Sequence, residues 1–492
     1  MAHARSQQTA FGTTLERHAL GADAGIALVL AEREVTYAEL LRRARTCAAW
    51  LASQRLVATE SVGLTIADEF AHIVASFALL LLGVPQVTLP THDPAAKRAA
   101  LAERLGVRCV VAADARHALP GLELLLLTPE RARDGDGAPP EPIAIDEDAP
   151  AVYYASSGAT GDPKLFALSQ RATAWRALSI AESERIAPGY RSLSFVPVED
   201  SMAKSRMLTC AHLGFASILP GRQALSSVAD ICSRYRATCL ELTILQATSL
   251  ASDGVNVRPL PRHTTVYVTG AMVPGALRRK LEGRLGVPIF VHYGAREFGR
   301  ISSTFPGNGR TDFDSVGAPV PWIDLEIVDA EGNALPTGTV GELRVRSECM
   351  SHEYYGDPAA TARHFKDGWF YPKDLGCLEG GVLRLYGRAD DMMNLNGIKI
   401  FPAEIERVLE EHPAVKAAAA FARPSPAHGD IPLAAVELHD SVAVAAEELM
   451  ARARERLGAR APRRIIVLDA LPRNASGKVI KRELLELVAA SG

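Results

Sequence analysis

The stretch AVYYASSGATGDPKLFAL, residues 151–168, holds two extended apolar runs, Ala151–Ala155 and Leu165–Leu168, joined by a loop of glycines, hydroxyls and a lysine. Glycine lets backbone N–H groups turn toward an anion, where bulkier residues are restrained. The hydroxyls of Ser156, Ser157 and Thr160 add donors, and Lys164 adds a point charge. That set suits a polyphosphate. The pattern GxxxxGK[ST] running into a helix is absent, so the loop is not that of a P-loop NTPase. Taken alone, it also reads as a flexible Gly/Ser hairpin with a solvated lysine. A second glycine–lysine pair, Ser476-Gly477-Lys478, stands far along the chain. Two such lysines in different regions point to a nucleotide reaction run between two bodies.

Outward from the loop, strand-like and helix-like segments alternate. Thr36-Tyr37-Ala38-Glu39 is a capping-box pattern, followed by apolar residues at 40, 41, 44, 48 and 51 on one helical face. Short apolar runs follow at Val62–Ile66, Gln86–Leu89, Val107–Ala112 and Leu122–Leu127. Alternation resumes from Ala151 to about Val291. The fold class expected is α/β: a large multi-layer N-terminal domain with mostly parallel sheets. Residues 130–149, rich in Pro, Asp, Glu and Gly, read as a surface linker. Ile323–Arg346 turns to a β pattern around Ala330-Glu331-Gly332-Asn333, a β-rich subdomain. After Tyr386 the character changes. Pro402 opens a helix with acids in its first turn. Strands at Val415–Phe421 and Pro432–Leu438, a helix from about Val442 to Leu457 and a strand at Arg464–Leu468 complete a small α+β unit. The division expected is 1–387 for the large domain, 388–391 for a hinge and 392–492 for a small mobile C-terminal lid.

The 492 residues are too many for a single core. Lys and Arg number 54 against 57 Asp and Glu, so no basic excess favours nucleic acid. Seven cysteines, odd in number and without a CxxC pair, fit reduced thiols in a cytoplasmic protein and argue against a cysteine-built metal site. The first eleven residues lack the apolar core of a signal peptide. The most apolar stretch, Phe70–Val87, contains His72, Pro85 and Gln86; it reads as a buried helix, Ala71–Leu82, followed by a strand, with no membrane span.

Six segments in order extend the reading: SSGATGDPK (156–164), YGAREFG (293–299), GELRVRS (341–347), YPKDLG (371–376), YGRADDMMNLNGIKIFPAEIE (386–406) and LPRNASGKVIKREL (471–484). In order and spacing they resemble the adenylate-forming superfamily, which includes acyl-CoA synthetases, aryl-acid ligases, peptide-synthetase adenylation domains and luciferase. The resemblance runs from about Val35 to Leu484. It implies a two-step reaction with ATP and Mg2+. A small carboxylic acid attacks the α-phosphate to give acyl-AMP and pyrophosphate; a thiol of CoA, or of a carrier protein's phosphopantetheine, then takes the acyl group. The difficulty in the first step is charge, since a carboxylate must approach a polyanion.

By that resemblance, Ser157, Thr160, Gly161 and Lys164 hold the β- and γ-phosphates, and Glu297 binds Mg2+ as a hard oxygen ligand. Tyr293 borders the adenine and Gly294 the acyl pocket. Asp374 accepts the ribose hydroxyls, Arg388 contacts the ribose-phosphate side, and Lys478 bridges the α-phosphate and the incoming carboxylate as the main catalytic charge. Asp390 is the hinge. Swinging there withdraws Lys478 and presents Asn396, Gly397 and Lys399 to the thiol arm, which passes close to the bare Gly397 backbone. Read one at a time, the same residues are ordinary surface acids, a core tyrosine, a loop lysine and a glycine turn.

Three positions depart from the motifs. Leu165 stands where a glycine usually follows Pro-Lys, Gln170 where histidine is frequent, and Arg296 in place of a threonine near the α-phosphate. The Arg296 guanidinium can replace that hydroxyl's hydrogen bond, pair with an acidic substrate or pair with Glu297. In the acyl pocket, Asp200 stands where amino-acid-activating members place an aspartate against the substrate ammonium. The competing reading has Lys204 and Arg206 neutralise it. Gly270 and Ala271 form one pocket wall. The activity expected is an AMP-forming acid–thiol ligase. The alternatives are a stand-alone amino-acid adenylation enzyme loading a separate carrier, and a nucleotide- or acyl-binding homologue without turnover.

Overall fold

The computed structural model describes residues 10–21, 25–31, 33–54, 56, 60–134, 144–156, 163–252, 254–270, 272–305, 315–439, 442, 444–473 and 479–490. Two largely parallel sheets organise the first three hundred residues. The nine-stranded sheet is parallel from Ile26–Leu30 through Ala216–Leu219, Arg191–Ser194, Cys239–Thr243 and Thr265–Thr269 to Ile289–Ala295, with antiparallel strands added at both edges. The six-stranded sheet is parallel from Glu123–Leu126 through Cys109–Ala112, Val62–Thr65 and Gln86–Thr88 to Pro150–Ser156; Lys164–Ser169 closes it antiparallel. Parallel strands are covered by helices on both faces, so their residues are continuously apolar. Val62–Thr65 and Cys109–Ala112 are buried at every position.

Packed on Val62–Thr65 and against the helices Phe11–Leu20 and Tyr37–Ser53 lies Glu69–Leu81, a largely apolar helix buried at eleven consecutive positions, Phe70–Leu80. It is the membrane-like stretch of the sequence. Among the described residues no helix is long and apolar enough to cross a membrane.

A third, antiparallel sheet of six strands contains Asp324–Val328, Gly341–Arg346, Asp374–Glu379 and Val382–Arg388, the β-rich region expected. From Met393 a five-stranded sheet with its own apolar core follows. Ile405, Leu409, Val436, Leu449 and Ala453 pack there.

Four local expectations are corrected. Thr36 Oγ1 accepts from Glu39 N–H (3.2 Å), but the Glu39 carboxylate turns to Arg33, so half of the capping box forms; Thr36 is already paired with Ile26 in the sheet. The linker after 129 opens with a short helix, Pro129–Asp134, before residues outside the description. The helix expected from about Val442 starts at Ala446 and runs to Leu457, with Glu447 and Glu448 in its first turn. The two long C-terminal strands extend to Ser425 and begin at Gly429, because the hairpin between them is short.

Candidate active site

The strands of the nine-stranded sheet end at a cleft of ≈ 2840 Å³. Ligands in open α/β sheets collect beyond the carboxyl ends of the strands. Lys164, Glu297, Tyr293, Gly294, Asp374, Arg388, Asp200, Gly270 and Arg296 all line it. Ser157, Thr160, Gly161, Ala271 and Lys478 lie outside the described residues.

Lys164 begins the strand that follows the glycine loop and pairs in register with Ser156. Its Nζ lies 2.8 Å from His364 Nε2 and 5.0 Å from the Tyr354 ring centroid. His364 Nδ1 lies 2.9 Å from the Tyr371 carbonyl oxygen, so Nδ1 carries the proton and Nε2 accepts from the lysine, a tautomer assigned from these partners. Burial lowers the Lys164 pKa, and the Glu297 charge partly restores it. Burial likewise lowers that of His364.

Glu297 is buried, and its Oε1 accepts from Tyr354 O–H at 2.8 Å. Its backbone is clamped from the helix Gln170–Ser183. Itself buried, the Arg176 guanidinium donates to the carbonyls of Cys349 (2.7 Å), Arg296 (3.1 Å) and Glu297 (3.0 Å). Ser351 N–H adds a fourth tie, to the Glu297 carbonyl at 2.7 Å. A rigid backbone with a carboxylate facing a cleft is the donor type that a hard dication accepts. Arg296 turns away from Glu297: its Nη1 donates to the Ala155 carbonyl (2.8 Å), tying it to the strand that precedes the glycine loop.

Across the cleft, Asp374 and Arg388 are register partners on antiparallel strands, which brings their side chains within reach. Asp374 Oδ1 is 3.8 Å from Arg388 Nη1, and Oδ2 accepts from Tyr293 O–H at 2.5 Å. Burial and the Asp374 charge raise the Tyr293 pKa well above the usual tyrosine range. The residue after Tyr293 must be glycine for a steric reason: a Cβ on Gly294 would lie 2.2 Å from the Gly299 carbonyl oxygen. Gly270 has φ +100° and open space around it.

Asp200 is the N-cap of the helix Ser201–Leu213, its Oδ1 accepting from Met202 N–H at 2.7 Å. Neither expected cation neutralises it. Lys204 Nζ points to Gln86 Oε1 (2.8 Å) and Thr88 Oγ1 (3.0 Å), and Arg206 pairs with Glu184. The other departures from the motifs are structural. Leu165 is buried, its carbonyl accepting from Tyr355 N–H at 2.6 Å. Gln170 joins Phe11 N–H (2.8 Å) to the Leu80 carbonyl (2.9 Å).

Toward the C-terminal domain, Arg388 Nη2 lies 3.3 Å from Asp390 Oδ2, and Lys481 Nζ lies 3.1 Å from Asp391 Oδ2. Arg473 and Val479–Arg482, which flank Lys478, line the cleft. Asn396, Gly397 and Lys399 are exposed and stand outside its described lining. Asn396 (φ +51°) and Gly397 (φ +86°) form a left-handed turn, tied by Gly397 N–H to Asn394 Oδ1 at 2.8 Å.

Arg176, Tyr354 and His364 were not found by sequence reasoning. The available signal was weak: Arg176 is a lone charge in the apolar helical run Ala174-Trp175-Arg176-Ala177-Leu178.

The profile of the AMP-binding enzyme family matches residues 15–355, and that of the AMP-binding enzyme C-terminal domain matches residues 404–478. Indoleacetate–CoA ligase of Aromatoleum aromaticum is 29% identical over 368 residues, 73% of this chain and 71% of that protein. The 2-succinylbenzoate–CoA ligase of Bacillus subtilis is 27% identical over 472 residues, 93% and 94% of the two chains. A solved structure of o-succinylbenzoate CoA synthetase from Bacillus subtilis, in complex with the acyl-adenylate OSB-AMP, matches with a TM-score of 0.83 at 26% identity, over 96% of this chain and 97% of that one.

Proposed function

The chain belongs to the AMP-binding enzyme family, and on that premise we propose that it is an AMP-forming acid–thiol ligase using ATP, Mg2+ and CoA. In the first half-reaction a substrate carboxylate oxygen bonds to the α-phosphorus of ATP, and the bond to the pyrophosphate oxygen breaks. In the second the CoA sulfur bonds to the acyl carbon and AMP leaves. Relatives named as CoA ligases, at 27–29% identity over 73–93% of this chain, support the reaction class.

The observation that carries the reading is the convergence of Lys164, Glu297 and the Tyr293–Asp374–Arg388 group on one cleft. Lys164, held between His364 and the Tyr354 ring, supplies positive charge to the terminal phosphates, with Ser157, Thr160 and Gly161 of the preceding loop as donors. Glu297 supplies the carboxylate for Mg2+, which neutralises phosphate charge when bound. Asp374 offers its oxygens to the ribose hydroxyls, and Arg388 faces the phosphate side. Tyr293 walls the base, Gly294 leaves room for the acyl group, and Gly270 lines the same cleft.

Lys478 is proposed to complete the first half-reaction from the C-terminal domain. Asp390, in the hinge 388–391 between domains 1–387 and 392–492, then rotates that domain and presents Asn396, Gly397 and Lys399 to the thiol. Arg296 is assigned a supporting role, holding the glycine loop's strand through Ala155. The cap formed by Asp200 favours an acid without an α-ammonium over an amino acid. The thiol carrier is CoA, and phosphopantetheine on a separate carrier protein offers the same arm. Seven free cysteines, all buried, fit a cytoplasmic setting. ATP–pyrophosphate exchange across a carboxylic-acid panel, with mass spectrometry of the CoA and carrier products, tests the proposal. Exchange with no acid, while AMP still binds, would overturn it in favour of a binder.

A further inference from the structure

One polar group at the floor of the cleft has no part in the chemistry above. Cys239, Glu241 and Thr243 share one face of their strand, while Leu240 and Leu242 face the apolar core. Thr243, Thr269, Gly270 and Gly294 line the cleft at the strand ends, and Glu241 lies two residues deeper in the same lining, about 7 Å below them at the usual rise per residue. Around it stand Arg206, Arg300, Glu184 and His292.

The carboxylates of Glu184 and Glu241 and a His292 ring nitrogen lie within 4.8 Å of one another, a spacing a metal would accept. Two guanidinium groups already occupy the cation's role. Glu184 accepts from Tyr190 O–H (2.7 Å), Arg206 Nη1 and Nη2 (3.3 and 3.2 Å) and Arg300 Nη1 (2.7 Å). Burial opposes its charge, yet the two arginines hold its carboxyl well below the usual range. Arg206 is further committed to Ser192 Oγ (3.1 Å) and to Tyr190. His292 Nδ1 meets Ser303 Oγ at 2.9 Å, and burial pushes the ring's pKa down to about 3, so it is neutral. The network therefore balances two positive and two negative charges.

Glu241 differs from Glu184. Its side chain is 7% exposed, and its nearest cations stand at 3.5 Å (Arg206 Nη1) and 3.9 Å (Arg300 Nη2), longer than a good hydrogen bond. A buried carboxylate without close donors is unfavourable unless something supplies one. The charges are already balanced, so the best complement is a neutral donor. We propose that Glu241 is a specificity residue that accepts a hydrogen bond from a hydroxyl or aryl-amine group at the end of the substrate acid remote from its carboxylate. The assignment rests on the ligase reading, which puts the acyl group in this cleft. A remote carboxylate would face Glu241 itself, and an alkylammonium would leave the network with an excess positive charge.

The test uses matched acids with and without a remote hydroxyl, on benzoic, 3-arylpropanoic and six- to eight-carbon alkanoic frames, with remote carboxylate and ammonium members added. In wild type, kcat/KM in ATP–pyrophosphate exchange is expected to favour the hydroxyl member about tenfold or more over its unsubstituted partner. Glu241→Gln should erase most of that preference, read as the ratio of the two kcat/KM values within the variant, so that a general loss from the uncompensated network cancels. Glu241→Asp retains the charge but withdraws the oxygens, and should weaken the preference at an unchanged melting temperature. Equal loss for both members of each pair in both variants would make Glu241 a purely structural charge and overturn the proposal; so would a wild-type preference for the ammonium, carboxylate or unsubstituted acid. Calorimetric titration of the same pairs without nucleotide reads the preference independently of turnover. Absence of exchange with every acid therefore overturns the ligase reading, and absence of a pairwise binding difference overturns the assignment to Glu241.

Discussion

Lys204 gives the molecule a measurable alkaline stabilisation. Its side chain is among the largest fully buried ones, and its Nζ meets Gln86 Oε1 and Thr88 Oγ1. Burial pushes its pKa down from 10.5 to about 7. Between those two values the unfolded chain holds the proton more tightly than the native state, so stability rises with pH across that window and is flat below it. At 1.36 kcal/mol per unit, the 1.5 units from pH 7.5 to pH 9 correspond to about 2 kcal/mol. Lys204→Met keeps a side chain of similar length and removes the titration. Gln86 Oε1 keeps its bond from Ser76 O–H at 2.7 Å, so one acceptor of the pair remains satisfied. Urea unfolding of both proteins at half-unit steps, followed by tryptophan fluorescence, isolates the effect: groups remote from Lys204 cancel in the difference, and His72, which feels the Lys204 charge, is held down to about 3, well below the range scanned. The stability difference between variant and wild type should shift by about 2 kcal/mol in favour of wild type over this range. Parallel curves, within about 0.5 kcal/mol, would refute the reasoning.

Arg176→Lys keeps the charge but cannot span the carbonyls of residues 296, 297 and 349; kcat/KM should fall about ten- to hundredfold with a raised Mg2+ half-saturation, because Glu297 is no longer held. A fall with unchanged Mg2+ dependence would count against a positioning role. Gly294→Ala places a methyl 2.2 Å from the Gly299 oxygen and should destabilise by about 1–3 kcal/mol, read in a urea midpoint; an unchanged midpoint would show that the Gly299 backbone yields freely. Lys478→Ala should nearly abolish acyl-AMP formation yet leave thioester formation from preformed acyl-AMP largely intact. Equal loss of both half-reactions would argue against the two-pose scheme.

Sequence alone determined the elements whose cause is local. Parallel strands announce themselves as continuous apolar runs because both faces are covered, and the runs at 62–66, 86–89 and 107–112 became strands. The buried helix was legible because a helix apolar on every side has nowhere else to go. The family was legible because six short motifs keep their order. Which partner each polar side chain takes was not legible, because hydrogen bonding across a fold depends on residues far apart in the chain. Arg176 reaches 173 positions to Cys349, and Tyr354 reaches back 57 to Glu297. Asp200 carries the same letter whether it lines a cleft or caps a helix, and the fold has it do both, with Oδ1 on Met202 N–H and the residue in the cleft wall. The charge network beneath the cleft formed for the same reason. Glu184, Arg206, Glu241, His292 and Arg300 are spread over more than a hundred residues, and strands of one sheet and two helices bring them together, where their mutual attraction offsets the loss of water.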